Sequence, residues 1–96
     1  MERLTKFERV EFVEYMPSPT ELEYGVLYVS LMFGLVICLC PDGCGEQVVC
    51  PIKPKDPEGW TYSEENGKVT LSPSVLETSC PNKAHFFIRE NKIIWV

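Results

Sequence analysis

The stretch WTYSEENGKVTLS, residues 60–72, sets two alternating polar/apolar segments either side of Asn66–Gly67. Asn-Gly suits the two positive φ values of a type I′ turn, so this segment reads as a β-hairpin. A second hairpin is expected at the end of the sequence, where HFFIR and KIIWV flank Glu90–Asn91. Upstream, ERVEFVEYM at 8–16 alternates well enough for a strand exposing Glu11 and Glu14. GVLYVSLMFGLVICLC at 25–40 reads as two central strands, 26–32 and 35–40, turning near Phe33–Gly34. This run of 16 residues, with Ser30 and Gly34 inside it, is too short for a membrane-spanning helix, which needs about 20. EQVVCPI at 46–52 is a short strand stopped by Pro51, and MPSPTELEYG a loop with one helical turn. PSVLETSCPNKA at 73–84 reads as irregular. No window shows helical periodicity. The expected fold class is therefore mainly β, a small single domain of antiparallel strands and hairpins over residues 1–96.

Ninety-six residues bury only a moderate core, and chains this short commonly add a metal or disulfides. The formal net charge of −5 argues against nucleic acid, whose phosphates call for a basic face. The charged N-terminal stretch MERLTKFERVEF lacks the features of a secretory signal. The expectation is a cytoplasmic protein without a membrane anchor. Five cysteines, an odd number, do not complete a disulfide framework in that compartment.

Three of those cysteines crowd into CLCPDGCGE, residues 38–46, and SCPNKAH at 79–85 holds a fourth with the sole histidine. Zinc sites are commonly built from two such ligand pairs on tight turns. Cys40 and Cys44 with Cys80 and His85 would make a Cys3His set holding one structural Zn2+ per chain, stapling the β domain through zinc-ribbon-like knuckles. Pro41 fixes the exit from Cys40, while Gly43 and Gly45 permit the positive φ that turns N–H groups toward sulfur. In a strand Cys38 and Cys40 share a face. Cys38 is therefore a buried neighbour or the reserve ligand in place of Cys40. Cys50 reads as a small core hydrophobe. No catalytic residue is assigned, because four ligands close the metal's shell and no second histidine is present to act as a base. A metal- or thiol-dependent enzyme is the alternative. Glu64–Glu65, Glu21/Glu23 and Lys53/Lys55 read as solvated surface, and Trp60 and Trp95 as core anchors.

LEYGVLYVS at 22–30, CLCPDGCGEQVVCPI at 38–52, Trp60, VTLSPSV at 69–75 and CPNKAHFFIRENKIIWV at 80–96 resemble a family of small bacterial proteins with a metal-binding pattern. That family typically reads His-Leu-Cys-x-Cys-Gly-Cys-Gly in the first cluster. Here Cys38 stands at the histidine, Asp42 at the middle cysteine and Cys50 at a threonine-like position. The resemblance implies a companion of bacterial ubiquitin-like conjugation systems, whose partner is another protein. The resulting expectation is an accessory module built around zinc.

Overall fold

The computed structural model describes residues 3–96, so Met1 and Glu2 of the expected domain lie outside the described residues. Strands β1 (Arg9–Phe12), β2 (Val26–Ser30), β3 (Leu35–Leu39) and β4 (Gln47–Pro51) form one sheet in that order. β5 (Thr61–Glu65), β6 (Lys68–Leu76), β7 (His85–Arg89) and β8 (Lys92–Trp95) form a second. The one described helical element is a 3-10 turn at Pro19–Glu21, within the loop where one turn is expected. The mainly β class holds. Among the described residues no helix is long and apolar enough to cross a membrane.

Turn chemistry fixes the second sheet. Asn66 and Gly67 take φ of 53° and 79°, and Glu90 and Asn91 take 50° and 66°, so both hairpins turn on paired positive φ values. Asn91 ties the two together. Its Oδ1 accepts the Val69 N–H at 2.7 Å, and its Nδ2 donates to the Gly67 carbonyl at 3.2 Å. In the first sheet, β1 runs parallel to β2 where an antiparallel neighbour is expected. Parallel neighbours need a crossover of about a dozen residues or more. Residues 13–25 supply it, and they explain why β2 is buried on both faces. Leu22 and partly buried Met16 from this crossover pack with Val26, Tyr28 and Ile37 on one side of the sheet.

The other side of that sheet makes the main core. Leu27, Val29, Val36 and Val48 meet Val69, Leu71, Phe86 and Ile88 of the second sheet. The outer face of the second sheet is left open, with Lys68, Ser72, Leu76, Arg89, Lys92 and Ile94 all exposed.

One departure from the sequence reading matters for the site. β6 continues through Pro73 to Leu76, where irregular chain is expected. Leu71 lies opposite Ile88 and Val75 opposite Phe86, so β6 advances four residues while β7 advances two. This bulge accommodates the proline, which has no N–H for a ladder. An excess of two also preserves the alternation: Val75 stays inside, and Ser74 and Leu76 stay outside.

Candidate functional site

Two turns face each other where β3 ends and β7 is about to begin. The first starts at Cys40 and is closed by the Gly43 N–H donating to the Cys40 carbonyl at 3.0 Å. The second starts at Cys80 and is closed in the same way by Lys83, at 2.9 Å. Gly43 and Gly45 adopt φ of 85° and 89°, a region that disfavours a side chain. Tyr24 steadies the first turn by donating its hydroxyl to the Pro41 carbonyl at 2.9 Å. Together the turns bring the side-chain donors of Cys40, Asp42, Cys44 and Cys80 within 4.8 Å of one another.

Asp42 is the hub of this group. Its Oδ2 accepts from Cys80 Sγ at 2.8 Å and from Asn82 Nδ2 at 3.1 Å, and its Oδ1 accepts from the Cys44 N–H at 2.9 Å. Burial works against its charge, but the bonds from the Cys80, Cys40 and Cys44 thiols and the Cys44 N–H hold the carboxyl well below its ordinary range. The Cys40 and Cys44 thiols move the other way. Burial raises Cys40 far above the usual thiol value, with Asp42 nearby adding to the rise, and pushes Cys44 up to about 11. A soft cation would replace those protons and leave three thiolates and a carboxylate as a four-donor set. The donor types suit zinc, and the donors lie close enough to converge on one ion.

The structure thus gathers three of the four expected ligands, Cys40, Cys44 and Cys80, and sets Asp42 beside them. His85 is not a member of the group. The reserve residue, Cys38, is not one either. It points into the core from β3, on the same side as Cys50 of β4, and is 2% exposed. Burial, then the potentials of Cys50 and Glu77, raise its thiol well above the ordinary value. Burial likewise pushes Cys50 up to about 12. Both behave as small apolar side chains.

His85 opens β7 opposite Leu76, and Ser74 stands two residues before Leu76 on the same face. Diagonal neighbours of this kind are within side-chain reach. Ser74 Oγ and His85 Nε2 are hydrogen-bonded at 2.8 Å. Both residues are partly exposed on the open face of the second sheet. The Trp60 indole N–H donates to the Ser74 carbonyl at 3.3 Å and so braces the bulged backbone that carries the hydroxyl. Sequence reasoning misses Ser74. The signal that could find it is the lone histidine itself, once it is not committed to the thiols, together with the Ser-Pro-Ser run at 72–74.

A hydroxyl on an imidazole is the minimal arrangement for nucleophilic acyl transfer, in which the ring takes the hydroxyl proton as oxygen attacks a carbonyl. Residues 12–96 match the family model described as bacterial ubiquitination-like system serine protease (BubE). No curated protein and no solved structure matches the chain. The association with bacterial ubiquitin-like conjugation implied by the sequence resemblance therefore holds, and the chain belongs to the BubE family of the bacterial ubiquitination-like system.

Proposed function

We propose that this protein is a serine peptidase acting within a bacterial ubiquitination-like system, with Ser74 as nucleophile and His85 as general base. The observation that carries this reading is the 2.8 Å contact between Ser74 Oγ and His85 Nε2. The family description supports it. Ser74 Oγ attacks the scissile carbonyl while its proton passes to Nε2, giving a tetrahedral intermediate. Collapse breaks the C–N bond, and the imidazolium returns the proton to the leaving amine. The acyl group stays on Ser74 as an ester. His85 then deprotonates a water, whose oxygen attacks the ester, and the released serine oxygen takes the proton back.

The four-donor group plays a different part in this reading. Cys40, Asp42, Cys44 and Cys80 hold one zinc that staples two knuckle-like turns, and residues 1–96 behave as a single domain around it. A bound zinc would supply folding free energy through a closed ligand shell. The enzyme reading departs from the non-catalytic accessory module expected from sequence, because His85 is hydrogen-bonded to a serine. Protein partners of the conjugation system then become substrates.

A fluorophosphonate probe tests the nucleophile. Wild type should be labelled on Ser74, and Ser74→Ala should abolish labelling while its thermal unfolding midpoint stays within about 2 °C, as for a substitution at a partly exposed site. Equal labelling of both proteins would sink the assignment.

A further inference from the structure

The outer face of the second sheet has two unlike halves. Toward β5, register pairs Thr61 with Ser72, Ser63 with Thr70 and Glu65 with Lys68, an ordinary solvated polar surface. Around Ser74 and His85 the same face turns apolar. Leu76 lies directly opposite His85, and Ile94 directly opposite Phe87, the next outward residue along β7. Leu76 is 54% exposed and Ile94 41%. One further step along β7, Arg89 lies opposite Lys92, and the Arg89 guanidinium sits 4.6 Å above the Phe87 ring. A single exposed apolar side chain means nothing, but exposed Leu76 and Ile94 grouped with half-buried Phe87 beside Ser74 and His85 set this end of the face apart from its polar end. The cationic pair at its end stands out in a chain of net charge −5.

The geometry points to this strip, formed by Leu76, Phe87 and Ile94 and ending at Arg89 and Lys92, as the surface that holds an extended polypeptide substrate across Ser74. It selects an apolar side chain beside the scissile bond and an acidic side chain about two to four residues away. This rests on the reading of Ser74 and His85 as nucleophile and base and adds the substrate chemistry to it. From His85 to Arg89 the strand advances about 13 Å at roughly 3.3 Å per residue, so an extended segment of about four residues spans the strip. Apolar contact supplies affinity along it. The two cations favour a carboxylate and disfavour a lysine at its far end.

Binding can be measured apart from catalysis. The inert Ser74→Ala protein is titrated with fluorescent octapeptides containing leucine and, three residues away, aspartate, in both orders along the peptide. Controls carry serine for leucine or lysine for aspartate. The leucine/aspartate peptide should bind at least about tenfold more tightly than the doubly altered control, the discrimination an apolar pocket typically gives. Adding Leu76→Ser and Ile94→Ser should erase the leucine preference, and adding Arg89→Glu alone should reverse the choice between aspartate and lysine. Equal affinities for all peptides, or preferences untouched by these substitutions, would overturn the inference even where the fluorophosphonate probe labels Ser74 in wild type. A wild-type dimer that Leu76→Ser and Ile94→Ser dissociate would overturn it as well, by giving the strip to a second copy of the chain. A wild type that the probe leaves unlabelled removes the catalytic reading, and the inference falls with it.

Discussion

The thiol–carboxylate group and the Ser74–His85 pair are both small clusters of reactive side chains, yet they are built in opposite ways. The first joins turns about forty residues apart in sequence and hides Cys40 and Cys80 completely. The second joins adjacent strands and lies on an open sheet face. Four donors around one metal ion would leave no position for water or substrate, so the proposed contribution of this group is to the fold. A partly exposed pair on an open sheet face is reachable by a polymer, so its proposed contribution is to chemistry. In the proposed reading the cysteines hold the molecule together through a metal, and the serine and histidine carry out its reaction.

The comparison breaks most visibly at Cys80. Cys80→Ser removes one thiolate from the group while its hydroxyl can still donate to Asp42 Oδ2. Bound zinc should fall from about one per chain to a small fraction of that, with the metal's folding free energy, several kcal/mol, lost along with it. Metal analysis and thermal unfolding check this, and chelation of wild type should mimic it. A variant that melts with wild type and carries no less zinc would remove the structural role from the group.

The next largest effect separates the two clusters directly. His85→Ala should lower turnover by about 10³-fold or more, roughly 4 kcal/mol of transition-state stabilisation, because the serine loses its base. Zinc content should stay at the wild-type level, since His85 hydrogen-bonds to Ser74. Release of zinc by His85→Ala would instead return the histidine to the Cys3His set that the sequence suggests.

The cysteine half is legible in the sequence because turn-borne ligands declare themselves locally. Cys40, Cys44 and Cys80 each sit beside prolines or glycines, and clustered soft donors on such turns are the usual pattern of a metal site. Asp42 is visible there only as a replaced cysteine. Its role depends on the Cys80 thiol and Asn82 amide arriving from another segment, which no spacing reveals. Both hairpins are legible for the same local reason, their paired positive-φ residues. Ser74 stays hidden because its position relative to His85 depends on a two-residue slip between β6 and β7. Pro73 suggests the end of a strand, whereas it marks a bulge within one. The parallel pairing of β1 is hidden as well, since alternation gives a strand's faces and not its direction.

Cys50 sharpens the contrast from a third position, as a thiol 2% exposed in the core and outside the four-donor group. Burial raises its pKa from an ordinary 9.0 to about 12, with the potential of Glu77 adding to the rise. Between these values the unfolded chain has given up the proton that the folded chain keeps. Unfolded protein therefore binds fewer protons, and stability declines as pH rises through this window. The cost reaches about 1.4 kcal/mol at pH 10 and grows by about as much for the next unit. Cys50→Ala deletes this contribution but adds a roughly pH-independent loss for the missing sulfur. Denaturant unfolding of both proteins should therefore show the wild type's advantage shrinking by about 1.4 kcal/mol between pH 8 and pH 10. An advantage that stays constant over that range would mean the Cys50 thiolate meets solvent in the folded state, and the core between the two sheets would be less dry than its packing implies.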